Sequence, residues 1–209
     1  MRRLGAFLLC LAPWAARNWA VHHQFVLIST NGGFNFWVGN NPLATGEAYD
    51  ATGEPVWTRI REPLKQQLAA QSEVQQDQFL YREGLRFIHD EPGRFLALTA
   101  RRLLYFWWFR PGAGSGQSPY PPHWVLAYQL VYGVVLVAAG VGVWASRAGW
   151  RRLWPIYALF VSLTAVYSVF FVHTRYRMIL EPFLLVLAAH GMVVFWGRIT
   201  PWVVRPAPA

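Results

Sequence analysis

Apolar residues along this chain gather into a few long runs separated by one extended polar stretch. Trp124 to Ala145 holds 22 consecutive residues without a charge. At about 1.5 Å of rise per residue, such a helix matches a hydrocarbon core roughly 30 Å thick. Trp154 to Val172 and Met178 to Trp196 are runs of 19 residues each, the second carrying Glu181 and His190. These predict three full transmembrane helices over 124–196. A shorter run, Leu4 to Ala16, follows Arg2-Arg3. It predicts a short N-terminal apolar helix within 1–21, about 20 Å long by the same rise. A signal peptide has this shape, but the exit Pro13-Trp14-Ala15-Ala16-Arg17 has no clear small-x-small cleavage site.

Residues 22–123 are polar and mixed, with no spanning run, and predict a helical and irregular segment outside the membrane. Ala44 to Glu62, with Gly46, Gly53 and Pro55, reads as loop. From Pro63 the pattern turns helical through Leu64, Leu68, Val74, Tyr81, Leu85 and Ile88. Asp90-Glu91-Pro92-Gly93 stops that helix and opens the next, with Asp90 as N-cap and Pro92 in the first turn. The following helix, 94–108, is apolar apart from Arg94, Arg101 and Arg102, and ends in Phe106-Trp107-Trp108. Arg94 and Arg101 share a face, as expected of a helix lying in the membrane interface. Pro111 to Pro122 reads as an irregular connector, and 197–209 as a tail.

Thr30 to Pro42 (Thr-Asn-Gly-Gly-Phe-Asn-Phe-Trp-Val-Gly-Asn-Asn-Pro) stands apart. Gly32, Gly33 and Gly39 sit among Asn31, Asn35, Asn40 and Asn41, ahead of Pro42. Glycine and asparagine enter left-handed backbone conformations most cheaply. The stretch therefore predicts a hydrogen-bonded loop that seats Phe34, Phe36 and Trp37 on a membrane surface or partner helix.

Composition agrees with a membrane protein. Hydrophobic residues make up 55% of the chain and charged residues 14%, with 12 tryptophans; soluble chains run near 25% charged. The net charge of +9 is not a nucleic-acid signature, because 22–123 holds nine basic and nine acidic residues and is neutral. The excess flanks the apolar runs. Arg147, Arg151 and Arg152, and beyond the last run Arg198 and Arg205, mark cytoplasmic ends under the positive-inside rule. Arg2 and Arg3 fall on the same side, and residues 22–123 and 173–177 on the opposite, periplasmic or extracellular, side. Cys10 is the single cysteine and cannot form an internal disulfide. His22-His23 has no Glu or Cys at ligand spacing, so no metal site is expected.

Candidate chemistry lies in Arg175-Tyr176-Arg177, between two apolar runs on the side where arginine is disfavoured. A guanidinium fork matches phosphate oxygens, and lipid phosphate sits at that depth. The alternative is that both arginines snorkel, or pair with Glu181 four residues after Arg177. His173 could also touch a phosphate. Arg17, near the exit of the first run, could bind a headgroup or snorkel. Glu181 reads as structural pairing, Asp90-Glu91 as capping, and His190 as a hydrogen-bonded core histidine.

Pro13-Trp14, Arg17-Asn18-Trp19, Phe25-Val26, Asn31-Gly32-Gly33, Gly39-Asn40-Asn41-Pro42, then Arg175-Tyr176-Arg177 and Pro182 occur in an order that resembles a known family. It is similar to the C-terminal half of bacterial polyprenyl-phosphate-sugar glycosyltransferases, membrane enzymes of GT-C fold in the protein O-mannosyltransferase-like family 39. The resemblance implies transfer of a sugar from a polyprenyl-phosphate carrier on the non-cytoplasmic face. It also implies that Arg175, Tyr176 and Arg177 contact the carrier, beside His173 and Arg17 as candidates from their own chemistry, and it assigns no cofactor. In that family the catalytic aspartate lies in a first periplasmic loop of the N-terminal half, for which no acid here stands in place. The expectation is thus a fragment or a misplaced start inside a spanning helix, inactive alone for want of that aspartate loop, with the missing N-terminal half or another membrane subunit as partner. A second reading is a non-catalytic membrane subunit that binds lipid phosphate or scaffolds glycan assembly; a small transporter or channel is disfavoured, because the spanning runs lack Gly/Pro-broken pairs and matched polar faces.

Overall fold

A computed structural model describes residues 2–50, 52, 54–60, 62–108 and 120–199. Most of the expected connector, and the tail from residue 200 with Arg205, lie outside the described residues, as do the side chains of Arg2, Arg3 and Arg198. The described residues form an all-helical chain without strands; a single isolated bridge joins Tyr49 and Pro55. The helices are α1 (Arg2–His22), α2 (Gly32–Gly39), α3 (Glu62–Ala69), α4 (Glu73–Asp90), α5 (Pro92–Trp107), α6 (Pro122–Ala145), α7 (Trp150–Val169) and α8 (Glu181–Ile199). Two compact units divide the chain: Met1–Arg101 with Val169–Phe171, and Arg102–Ser168 with Val172–Ala209.

In the first unit, Thr30 to Pro42 departs from the loop expected of it, since its centre is helix α2. Its glycines are there for close approach, not for left-handed backbone. A Cβ on Gly33 would lie 1.9 Å from the carbonyl oxygen of Asp77 in α4, and one on Gly39 2.1 Å from that of Phe170. Positive φ occurs instead at Gly46 and at His23, just past the end of α1. Phe36 stacks on Tyr81 at 5.1 Å and meets Phe170 edge-on at 5.6 Å.

The asparagines close α2. Asn40 donates its amide to the carbonyls of Phe36 and Val169, each at 2.9 Å. Asn41 donates to Trp37 O at 2.8 Å and accepts from Leu43 N–H at 2.7 Å. Both are buried, and their amides give a second donor to the Phe36 and Trp37 carbonyls, which also accept from Asn40 N–H. At the other end, the Asn31 side chain makes no capping bond, while its carbonyl accepts from Asn35 N–H at 3.1 Å.

The helix expected to run from Pro63 to Asp90 is two helices. Ser72 and Gln75 form a reciprocal capping box that starts α4 afresh. Asp90 is the last residue of α4 and not an N-cap; Glu91 follows it, and Pro92 opens α5. Arg94 and Arg101 do share a face of α5, and both reach backbone carbonyls, of Pro42 and Thr45. Ala44, Phe87 and Leu98 form the small core beneath them. The N-terminal helix spans 21 residues with Pro13 inside, longer than its apolar run. Within this extension Asn18 is buried and donates to the carbonyl of Val26 at 3.0 Å.

In the second unit, α6 and α8 pack backbone to backbone. A Cβ on Gly142 would lie 1.9 Å from Leu187 O, and one on Gly191 2.0 Å from Ala138 O. Tyr132, Ala139, Leu184, Leu187 and Ala188 fill the seam. A 3₁₀ turn at Ser146–Gly149 lets α7 fold back: Ser146 and Tyr157 hydroxyls lie 2.9 Å apart, and Phe160 joins the α6–α8 cluster. One helical stretch among the described residues, Pro122–Val169, is long and apolar enough to cross a membrane, and Glu181–Gly197 is a shorter apolar helix. The expected run from Met178 begins as a helix only at Glu181, because Thr174–Ile179 is a 3₁₀ turn.

Candidate functional site

The residues between α7 and α8 are fixed from below by apolar packing. Phe106, Val172 and Leu180 are buried together, with Tyr167 and Tyr176 against them. The Tyr176 ring lies parallel to Tyr167 at 4.4 Å, and Tyr167 stacks on Phe106 at 5.7 Å. His173 meets Tyr176 edge-on at 5.9 Å, and its carbonyl accepts from Tyr176 N–H at 2.9 Å. Partial burial holds the His173 pKa below its usual value, and the nearby Arg175 charge lowers it further. A neutral imidazole next to a cation can still donate one hydrogen bond to an anion.

Arg175 and Arg177 have opposite fates. Arg175 is exposed, its guanidinium 5.5 Å above the Tyr176 ring. Arg177 is 3% exposed. Its Nε donates to Glu181 Oε1 at 2.7 Å, Nη1 to the carbonyls of Phe106 at 3.2 Å and Trp107 at 3.4 Å, and Nη2 to Tyr128 Oη at 3.2 Å. The guanidinium also lies 4.1 Å over the Tyr132 ring. Those two carbonyls are the last of α5, so Arg177 caps that helix with a charge favourable to its C-terminal dipole. Arg177, expected from the sequence at a lipid phosphate, thus directs its donors to protein partners in a closed site. Glu181 is structurally paired, as the sequence suggested, and also accepts from Tyr132 Oη at 3.4 Å.

The structure thus gathers His173, Arg175 and Tyr176 on one turn. Arg17, in the first unit, is exposed, lies 5.3 Å over the Trp14 ring and donates to Asn18 Oδ1 at 3.1 Å. The motif Asn31, Gly32, Gly33, Asn35, Gly39, Asn40, Asn41 and Pro42 builds α2 and its ends, a structural role. Sequence reasoning missed Tyr128, Tyr132 and Tyr167. The first two are one helical turn apart in an apolar helix, and that spacing could have marked them as partners for a cation. It also missed buried Arg102, which donates to Ser168 O at 3.1 Å.

A separate pocket of about 430 Å³ in the first unit is lined by Thr30, Asn31, Phe34, Glu73, Gln76, Asp77 and Leu80. Asp77 accepts from Gly33 N–H there, and Glu73 from the Thr30 hydroxyl at 3.3 Å. Among the described residues, no group of three or more His, Cys, Asp or Glu could hold a metal ion. Compared with family models, curated proteins and solved structures, the chain matches none.

Proposed function

We propose that this chain is a multi-pass membrane protein and the C-terminal part of a glycosyltransferase that uses a polyprenyl-phosphate-linked sugar. Its role in that reading is to hold the lipid phosphate, not to supply the catalytic carboxylate. The carrying observation is the exposed Arg175 beside His173 and Tyr176, in a turn that follows an apolar helical hairpin. Backbone contact at Gly142 and Gly191 supports the membrane reading, because helices in lipid associate through small residues rather than a hydrophobic driving force. So do the valines exposed along α6 and α8, Val131, Val134, Val137, Val186 and Val193. In water they would form an apolar patch of the kind soluble monomers avoid. Between them runs a groove of about 900 Å³ from Trp108 past Gly133 and Gly191 to Trp196, a bed for an apolar lipid chain.

On this reading α6, α7 and α8 span the membrane, residues 22–123 lie on the periplasmic or extracellular side, and α5 lies in the interface. A non-catalytic membrane subunit in glycan assembly is the second reading. It is favoured by the charge inventory, since Glu181 is the one acid in the sequence of the second unit and Arg177 engages it.

The test is retention of polyprenyl phosphate by the purified chain in native mass spectrometry. Arg175→Ala should lose most retention at an unchanged melting temperature. Retention equal to wild type in that variant would reject the phosphate site. Turnover of a polyprenyl-phosphate sugar by this polypeptide alone would reject the non-catalytic role.

A further inference from the structure

The chain's positive charge is not spread over its two units. Through Arg101 and over Val169–Phe171 there are ten basic and nine acidic residues, a net +1; the other unit holds nine arginines and Glu181, a net +8. These sum to the whole chain's +9. No Asp or Glu occurs between Glu91 and Glu181. Arg147, Arg151 and Arg152 fall within six residues of that stretch, at the α6–α7 turn. All are exposed, and none of the ion pairs among the described residues involves them.

The turn is also aromatic. Arg147 lies 4.4 Å over the exposed Trp144 ring, and Trp150 and Trp154, one helical turn apart, are exposed beside Arg151 and Arg152. Indole rings favour the headgroup level of a bilayer. Arg151 and Arg152 sit in the first turn of α7, where the helix dipole is positive and cations are unfavourable. An anion outside the protein would offset that repulsion.

We infer that the Trp144–Trp154 turn is a docking surface for the anionic lipid headgroups of one membrane leaflet. The arginine forks take the phosphates and the three tryptophans fix the depth. This rests on the membrane reading above but concerns the end of the hairpin opposite His173 to Arg177, and it needs neither a polyprenyl carrier nor sugar transfer. A phosphate diester offers two oxygens to a guanidinium in the geometry of a bidentate pair.

The experiment reconstitutes the full chain into nanodiscs of equimolar phosphatidylcholine and phosphatidylglycerol and counts co-retained lipids by native mass spectrometry. Wild type should carry phosphatidylglycerol in excess over the bulk ratio, and less of it as salt rises. Each arginine removed should cut the enrichment by about fivefold, as expected for a cation at an anionic surface. Arg151→Gln with Arg152→Gln is the main variant, with thermal melting as the folding control. Both side chains are exposed, so its melting temperature should match wild type. Release of the chain from bilayers by alkaline carbonate would overturn the membrane reading and this inference together. A chain that stays in the bilayer without enrichment, or whose double variant keeps it, would overturn this inference alone.

Discussion

Arg177 donates from Nε to Glu181 Oε1 at 2.7 Å, one helical turn away, and so ties the 3₁₀ turn after α7 to the first residue of α8. The same guanidinium caps α5 through Phe106 and Trp107. One buried side chain thus holds three segments of the second unit. Removing one partner of such a pair leaves an uncompensated charge, at a cost of about 3–5 kcal/mol.

Arg177→Met should therefore lower the melting temperature of the purified chain sharply. Arg177→Lys should rescue it only in part, because an ammonium cannot reach Glu181, two carbonyls and Tyr128 at once. Glu181→Gln should cost less, since Tyr132 and Arg177 can still donate to the amide oxygen. Equal melting temperatures for Arg177→Met and wild type would refute the capping role.

The glycines separate close approach from backbone freedom. Gly33→Ala, Gly142→Ala and Gly191→Ala each drive a methyl into a neighbouring backbone carbonyl. Each should destabilise by about 1–3 kcal/mol, the usual range for overpacking. Gly140→Ala meets nothing within 4 Å and sits in mid-helix, so it should be neutral or mildly stabilising. Melting the four variants side by side checks this; a destabilised Gly140→Ala with a tolerated Gly142→Ala would refute the packing.

Asp50 makes the loop before α3 sensitive to pH. Its carboxylate accepts from the Thr52 hydroxyl at 2.6 Å and from the N–H groups of Thr52 at 2.8 Å and Glu54 at 3.1 Å, and it pairs with Arg59 at 3.1 Å. The Thr52 hydroxyl is the largest of the causes that hold its pKa below the usual value. A depressed folded pKa adds stability above the unfolded value of about 3.9, lost as pH falls through the folded one. Asp50→Asn should accordingly melt below wild type at neutral pH, the gap closing below about pH 4. A gap that stays constant with pH would show that the carboxylate charge contributes nothing.

Topology is open to direct labelling. In a Cys10→Ala background, Ala70→Cys should react with an impermeant maleimide on intact cells, and Gly149→Cys should react only after lysis. Both positions are exposed, so access and not burial decides the outcome. The reverse pattern would invert the proposed orientation and place the His173 to Arg177 turn on the cytoplasmic side.

Helical character, the apolar runs that became α6, α7 and α8, the Pro92 start of α5 and the shared face of Arg94 and Arg101 were all legible from residue order. Those features depend on local periodicity, proline geometry and charge placement, which act over a few residues and survive any tertiary arrangement. Residue order also raised the pairing of Arg177 with Glu181, because an i, i+4 relation is local. Tertiary structure alone decided that Gly33 and Gly39 serve as contact points within and beyond a helix, since Asp77 and Phe170 lie 44 and 131 residues away in the chain. It alone separated Arg175 from Arg177, which look equivalent in sequence. Two residues apart on a tight turn, they point to different surroundings, one to the exterior and one to the carbonyls ending α5. Burial and hydrogen-bond saturation belong to side chains brought together from distant positions, and no local pattern encodes them.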